Sequence, residues 1–242
     1  MRDLAELRVL WQLLRGMPAA GSHAERLERF YAPQAARYDS FRERLLHGRQ
    51  TLINALDFQP RERVAELGAG TGCNVRWYAD RRAQLQQLTL VDLCPALLAQ
   101  ARTRAADWAN THVIEADVTQ WQPAAPLDKV YFSYALTMIP SWQAAIENAI
   151  AMLKPGGLLG VVDFYIAEAQ PAAGLARHPA WQRWLWPRWF AHDGVRLSPA
   201  HLPYLRTRLA PVVLQEARGS LPWLPGLRVP YYVFVGRKLG AG

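Results

Sequence analysis

A glycine-rich turn with an acidic residue in front of it is the clearest chemical signal in the sequence. Residues 66–72 (ELGAGTG) follow an apolar segment, Arg63–Leu67, that predicts a β-strand, and they lead into a predicted helix over about Gly72–Arg82. Glycines at such a junction permit a tight turn and close approach of the backbone to a ligand. Dinucleotide-binding turns place a glycine where Cys73 stands here. The carboxylate of Glu66 suits the ammonium of an amino acid better than it suits a pyrophosphate.

Two further carboxylates follow later strands. Asp92 ends the predicted strand Leu88–Asp92, 20 residues after Gly72, where a carboxylate accepts from both hydroxyls of a ribose. Asp117 follows the predicted strand His112–Ala116 and is placed to accept from an adenine amino group. Each acidic residue alone is also an ordinary cap or turn residue. The ordered set predicts a cofactor with amino-acid, ribose and adenine parts.

Strands and helices alternate over residues 62–165, which predicts βαβ units and a parallel sheet with helices on both faces. Beyond the elements already named, we predict strands at Lys129–Tyr134 and Leu158–Phe164 and helices at Pro95–Trp108 and Ser141–Leu153. An N-terminal helical cap is predicted over residues 1–57, and the core over 58–242 with a helical insertion at about 166–208. The runs Pro211–Glu216 and Arg228–Arg237 predict a C-terminal antiparallel hairpin, all within one structural domain.

The chain is basic, with 28 Lys and Arg against 20 Asp and Glu. Such a balance suits nucleic acid, an anionic lipid surface or simple solubility, and no nucleic-acid module stands out. No apolar run approaches the ~18–20 residues that cross a bilayer, and the N-terminus lacks the apolar stretch of a signal peptide. We therefore expect a cytoplasmic protein. Cys73 and Cys94 lack metal-ligand spacing and predict small buried thiols without a disulfide, and no metal is expected.

Over roughly residues 60–165 these motifs resemble the class I S-adenosylmethionine-dependent methyltransferases. The resemblance implies a Rossmann-like α/β sheet with one reversed strand in the terminal hairpin, and S-adenosyl-L-methionine as the cofactor. A tyrosine before the core can fold over the methionine end of such a cofactor, and we expect Tyr38 to do so. The cofactor-binding residues that we expect are Tyr38, Glu66, Gly68, Gly70, Thr71, Gly72, Asp92, Leu93, Asp117, Val118 and Ser133.

Segments outside that region resemble the betaine-lipid N-methyltransferases, which trimethylate diacylglyceryl-homoserine. They are residues 28–42, 46–49, 134–140, 189–195, 221–225 and 229–238. The resemblance implies methyl transfer to the amine of a lipid headgroup, by a peripheral protein at an anionic membrane surface, on its inner face. Some members carry a second domain that attaches the aminocarboxypropyl group. This sequence shows none, so we expect it to perform only the methylations.

Methyl transfer is an in-line displacement from a sulfonium by a neutral amine, so positioning and desolvation matter more than a strong base. Aromatic walls can hold a methylated ammonium. The expected catalytic residues are Tyr38, Tyr134 and His192, and the expected acceptor-binding residues are Arg42, Arg49, Tyr165 and Tyr232. Other interpretations stay open: an exposed turn for His192, solvation or pairing with Glu43 for the arginines, and a core position for the tyrosines.

The segment Trp181–Phe190 contains four tryptophans together with Arg183 and Arg188. It is typical either of a buried cap on the sheet or of an interfacial surface that contacts lipid. Alternative functions are methylation of phosphatidylethanolamine or of a small soluble amine, and non-catalytic S-adenosylmethionine binding. A nucleic-acid methyltransferase is disfavoured, because Ser133–Leu136 stands where an Asn/Asp-Pro-Pro-aromatic motif would be. The sequence makes no prediction of oligomeric state.

Overall fold

A computed structural model describes residues 20–32, 44–221 and 224–240. Two predicted site residues, Tyr38 and Arg42, lie outside the described residues, as does the first part of the predicted helical cap. No helix in these three ranges is long and apolar enough to cross a membrane.

Seven strands form one mixed sheet in the order β3-β2-β1-β4-β5-β7-β6. They are β1 Arg63–Leu67, β2 Gln87–Asp92, β3 Thr111–Glu115, β4 Leu127–Ser133, β5 Leu153–Phe164, β6 Ala210–Leu221 and β7 Leu224–Arg237. Strands β1 to β5 pair in parallel, and β7 runs antiparallel to both of its neighbours. The predicted Rossmann-like sheet with one reversed strand is confirmed.

Helices cover both faces because side chains alternate along each strand. On β1, Val64 joins the core of one face, whereas Ala65 and Leu67 join the core of the other. The first face carries α2 Arg49–Leu56, a 3-10 helix Cys73–Tyr78 that runs into α3 Ala79–Arg82, α4 Pro95–Arg104 and α6 Ala180–Ala191. The second carries α5 Trp142–Met152 and α7 His201–Arg208.

The two described helices of the predicted N-terminal cap have different positions. Helix α1, His23–Tyr31, begins at a capping box in which Ser22 Oγ accepts from the Glu25 N–H at 3.3 Å, and it contacts α4. Helix α2 covers the sheet instead: a Cβ on Gly160 of β5 would lie 2.9 Å from Leu52 Cδ1. Hence α2 is part of the main core, whereas α1 lies beside the strand ends.

Some elements differ from their predicted form, and β5 begins at Leu153 instead of the predicted Leu158. The helix expected from Gly72 begins as a 3-10 helix, since Gly72 takes a left-handed φ of 67° and a Cβ there would be 2.9 Å from Leu90 Cδ1. The hairpin strands are longer than predicted, because pairing continues through Gly219 and Ser220. Backbone hydrogen bonds do not require apolar side chains, so the turn-like composition of this stretch hides the strand.

Candidate active site

A cavity opens where the parallel strands end. Most of the predicted site residues that the structure describes lie on its wall: Arg49, Glu66, Gly68, Gly70, Thr71, Asp92, Leu93, Asp117, Val118, Ser133 and Tyr134. The wall also contains residues that were not predicted from the sequence, notably His23 and Leu27 of α1 and residues 138–141 after β4. Strand ends and α1 therefore share one cavity.

The glycine-rich turn is fastened to the end of β2. The backbone N–H groups of Gly68 and Ala69 both donate to the Val91 carbonyl, at 2.8 and 3.0 Å. Gly68 has a φ of 73°, and a Cβ there would collide with Ala135 Cβ. Gly72 packs against β2 and does not line the cavity. Its contribution is the shape of the turn, whereas Gly68 and Gly70 lie on the wall.

Asp92 joins the turn to the start of α4. Its Oδ2 accepts from the Gly70 N–H at 2.7 Å and its Oδ1 from the Cys94 N–H at 2.9 Å. Burial raises the pKa of Asp92 above its usual range, and these backbone donors oppose the rise. Each carboxylate oxygen has a further lone pair, so capping the turn and accepting from ribose hydroxyls are compatible roles.

Asp117 lies exposed beyond β3, on the rim of the cavity. Its Oδ1 accepts from the N–H and the hydroxyl of Thr119, both at 2.8 Å, as in an Asx turn. Within the described ranges, Oδ2 accepts no hydrogen bond. Ser133, at the end of β4, places a buried Oγ on the wall that likewise has no partner among the described residues. Both oxygens suit a polar ligand.

Glu66 is fully buried behind the glycine turn. Its Oε1 accepts from Asn74 Nδ2 at 2.6 Å and its Oε2 from the Tyr131 hydroxyl at 2.7 Å. Burial raises the pKa of Glu66 to about 7, against the influence of these two donors and of the Arg49 charge. The carboxyl group is therefore poised between its neutral and ionised forms near neutral pH.

Arg49 is a buried cation on the same wall, 5% exposed. Its Nε donates to the Leu46 carbonyl at 3.1 Å, and its Nη1 lies 3.3 Å from Cys73 Sγ and 3.5 Å from Asn74 Oδ1. None of the described carboxylates lies within ion-pair distance of it. A buried guanidinium with neutral partners is suited to a carboxylate ligand.

Tyr134 follows β4 in a left-handed conformation, φ 56°, that is unusual for a tyrosine. Its hydroxyl donates to the His47 carbonyl at 2.6 Å, and its ring lies edge-on to Phe164 with centroids 4.6 Å apart. Burial raises the pKa of Tyr134 well above its usual value. The residue stays protonated and offers the cavity an aromatic ring rather than a base.

The segment after β4 is fixed by Asp163, which sequence reasoning missed. This fully buried carboxylate accepts from the Thr137 N–H at 3.1 Å and from the Thr137 hydroxyl at 2.8 Å. The Thr137 carbonyl in turn accepts from the Arg196 N–H at 2.8 Å. Burial raises the pKa of Asp163 to about 7. No sequence pattern pairs Asp163 with Thr137, so only the fold reveals this clamp.

Besides Gly72, three predicted site residues are absent from this wall. Tyr165 and Tyr232 are buried on the opposite face of the sheet, edge-on to each other, and the Tyr165 hydroxyl donates to Glu216. Strand alternation explains this: Tyr231, not Tyr232, lies on the face of Tyr134. His192 is exposed at the C-terminus of α6, outside the cavity wall. The structure supports the core and turn interpretations for these residues.

This geometry coincides with a recognised family. Residues 64–157, which contain the glycine turn, Asp92 and Asp117, match the sequence model of a family described as a methyltransferase domain. The match covers less than half of the chain. A curated relative, trans-aconitate 2-methyltransferase of Escherichia coli, is 32% identical over 129 residues, which are 50% of this chain and 46% of that protein. The chain thus spans about half the length of the curated relatives it matches.

Solved structures share the fold of the chain around these residues. The N-methyltransferase NodS of Bradyrhizobium japonicum, bound to S-adenosylhomocysteine, has a TM-score of 0.64 and 18% identity, covering 90% of this chain and 99% of NodS. The Haemonchus contortus phosphoethanolamine N-methyltransferase 2, bound to S-adenosylmethionine, has a TM-score of 0.68 and 12% identity, covering 92% and 61%. At these identities the likeness shows the fold. Together with the matched domain, it supports S-adenosylmethionine as the cofactor.

Proposed function

We propose that the protein is an S-adenosylmethionine-dependent N-methyltransferase that acts on the amine of a lipid headgroup, with diacylglyceryl-homoserine as the first candidate. The observation that carries the proposal is a single cavity in which Glu66, Asp92 and Asp117 follow one another along the strand ends. The ring of Tyr134 completes one wall. Cofactor and acceptor would meet beside that ring.

The donors and acceptors on the wall fit the cofactor part by part. Glu66 and Arg49, bridged by Asn74, offer one anion and one cation to the ammonium and the carboxylate of methionine. Asp92 would accept from the ribose hydroxyls, and Asp117 from the adenine amino group through Oδ2. The bound cofactor supplies an electrophilic methyl group. Arg49 is thereby assigned to the cofactor rather than to the acceptor that the sequence suggested.

The acceptor side of the wall supports a nucleophile that needs no strong base. Its described residues are Leu46, Tyr134, Met138, Ile139 and Pro140. The hydroxyl of Tyr134 remains protonated and bonded to His47, so it does not remove a proton. An amine that arrives neutral can attack directly. The Tyr134 ring would then stabilise the methylated ammonium by about 0.5–2 kcal/mol.

The lipid acceptor is supported by the resemblance of the flanking segments to betaine-lipid N-methyltransferases. A second candidate is O-methylation of a small carboxylic acid, favoured by the 32% identity to trans-aconitate 2-methyltransferase. A carboxylate is already a nucleophile, so its attack on the methyl group requires no removal of a proton. Both candidates fit a wall without a strong base.

Labelled S-adenosylmethionine and mass spectrometry of the products separate these candidates. The protein would be offered diacylglyceryl-homoserine in detergent micelles, phosphatidylethanolamine in the same micelles, and trans-aconitate in buffer. We expect successive methyl additions to diacylglyceryl-homoserine. Methylation of trans-aconitate alone would replace the N-methyl proposal with the carboxylate one. Absence of transfer to any acceptor, with S-adenosylhomocysteine still bound, would favour a non-catalytic binding role.

A further inference from the structure

Helix α6 has aromatic side chains on both of its faces. Trp186 and Phe190 are buried against the sheet, as the cap interpretation of this segment predicts. Trp181, Trp184 and Trp189 instead have exposed fractions of 49%, 59% and 51%. Exposed tryptophan is uncommon on protein surfaces, and a cluster of such residues marks an interaction site. The buried face of α6 therefore fits the interpretation as a cap on the sheet, and the exposed face fits the interpretation as an interfacial surface.

The exposed tryptophans and Arg188, with the partly buried Leu185 between them, form one continuous strip. At 3.6 residues per turn, Trp184, Arg188, Trp181, Leu185 and Trp189 fall in that order within an arc of roughly 140°. We call these five residues the tryptophan face. Arg188 belongs to it directly: its guanidinium lies 4.9 Å from the Trp184 ring centroid, and its Nη1 donates to the Trp184 carbonyl at 2.9 Å. The face thus combines large amphipathic rings with a cation.

The surroundings of this face are basic. Residues 170–200 contain four arginines and a single acidic residue, Asp193. Arg183 and Arg218 both lie near enough to His178, just before α6, to lower its pKa, although burial is the larger cause. The whole chain carries a formal charge of +8. This charge complements an anionic partner.

We propose that the tryptophan face of α6 docks on an anionic lipid membrane. Tryptophan and arginine are the side chains that lie at the headgroup level of a bilayer, with the ring in the apolar boundary and the polar group in water. A face of one Arg among three tryptophans suits that boundary better than it suits nucleic acid, whose phosphates require many cations. Such docking is peripheral and reversible.

The face lies close to the cavity through a short chain of rings. Phe190, on the buried side of α6, is 4.8 Å from Phe164 between centroids, and Phe164 is 4.6 Å from Tyr134 on the cavity wall. A membrane beneath α6 would bring headgroups to the side of the molecule on which the acceptor enters. The purpose of the docking surface rests on the proposed function, but docking itself is measurable without cofactor or acceptor.

The test is sedimentation of the full chain with two kinds of vesicle, phosphatidylcholine alone and phosphatidylcholine mixed with an equal part of phosphatidylglycerol. We expect binding to the mixed vesicles that weakens as salt is added. The combined variant Trp181→Ser, Trp184→Ser, Trp189→Ser should reduce binding by roughly tenfold or more, since affinity follows buried apolar area. Arg188→Glu should reduce it about fivefold or more, the factor for one basic residue at an anionic surface.

Matched controls use exposed residues elsewhere. Val212→Ser and Leu239→Ser remove exposed apolar side chains from other surfaces, and Arg102→Glu reverses an exposed charge on α4. These variants should bind vesicles like the wild type. Unchanged S-adenosylhomocysteine affinity would show that the tryptophan variant keeps its cavity, whichever acceptor the enzyme uses.

Two results would overturn the proposal. One is equal vesicle binding by the wild type and the combined tryptophan variant. The other is a wild type that binds neither kind of vesicle. If that wild type also elutes as a dimer and the tryptophan variant as a monomer, the face is a contact between two copies of the chain.

Discussion

The proposed cofactor and acceptor ends of the cavity are built from different kinds of contact. At the cofactor end, the two partners of each hydrogen bond lie in neighbouring strand–helix turns, as in the bonds from the Gly70 and Cys94 N–H groups to Asp92. At the acceptor end they come from remote parts of the chain. The Tyr134 hydroxyl donates to the carbonyl of His47, 87 residues away, and the Thr137 carbonyl accepts from the Arg196 N–H, 59 residues away. A turn motif thus specifies one end, whereas the assembled fold specifies the other.

The largest expected effect is a loss of stability when the buried hydrogen bonds of Asp163, at the acceptor end, are removed. Asp163→Ala leaves the N–H groups of Thr137 and Phe164 and the Thr137 hydroxyl without their acceptor. Buried donors left unsatisfied cost about 1–3 kcal/mol each, so we expect a loss of roughly 3 kcal/mol or more in the free energy of unfolding. Urea denaturation of the variant and the wild type measures it.

Asp163→Asn sharpens this test because it keeps one acceptor oxygen in place. It should be less destabilising than Asp163→Ala and should leave S-adenosylhomocysteine affinity unchanged, since Asp163 does not line the cavity. A loss of cofactor affinity as large as that caused by changes at Asp92 would erase the distinction between the two ends.

The second effect concerns the cofactor end. Asp92→Ala removes charge-assisted bonds to the ribose and also frees the Gly70 N–H, so S-adenosylhomocysteine binding should weaken by on the order of 2–4 kcal/mol. Asp92→Asn, which retains one oxygen acceptor, should fall between this variant and the wild type. Calorimetry gives the affinities, and Asp107→Ala, an exposed aspartate after α4, serves as the control. Wild-type affinity in folded Asp92→Ala would remove Asp92 from the proposed cofactor site.

The contrast between the two ends also explains how much the sequence predicted. The sheet, its reversed strand and the wall positions of Glu66, Asp92 and Asp117 follow from local patterns: apolar strands, a glycine turn and acidic residues at strand ends. These patterns can be recognised in the sequence because the residues involved are near one another in the chain or occupy equivalent βα turns.

The acceptor end offered fewer such signals, although the predicted residue Tyr134 does lie on the wall. Tyr165 and Tyr232 look like wall residues by type, but their places in the alternation of β5 and β7 direct them to the other face of the sheet. Conversely, Met138 and Ile139 and the α1 residues Leu27 and Tyr31 reach the wall only through contacts that the fold creates. Apolar side chains carry no marker that distinguishes a cavity wall from a core.

The smallest expected effect is a pH dependence of cofactor affinity. It arises at Glu66, which lies between the two ends. The pKa of Glu66 is about 7 in the free protein because burial disfavours its charge. The ammonium of the cofactor favours the ionised form, so binding should release a proton when the pH lies near or below that pKa.

Affinity for S-adenosylhomocysteine should therefore rise with pH and level off above about pH 8, changing by at most about tenfold per pH unit below the pKa. The charged neighbours act in opposite directions, since Arg49 lowers and Asp92 raises the pKa of Glu66. Calorimetry in buffers of different ionisation enthalpy counts the released proton. Glu66→Gln should bind more weakly and without this pH dependence, whereas Glu115→Gln, at the exposed end of β3, should behave as the wild type. If Glu66→Gln kept the same proton release, the titrating group would be another one, and Glu66 would serve only to hold Asn74 and Tyr131 in place.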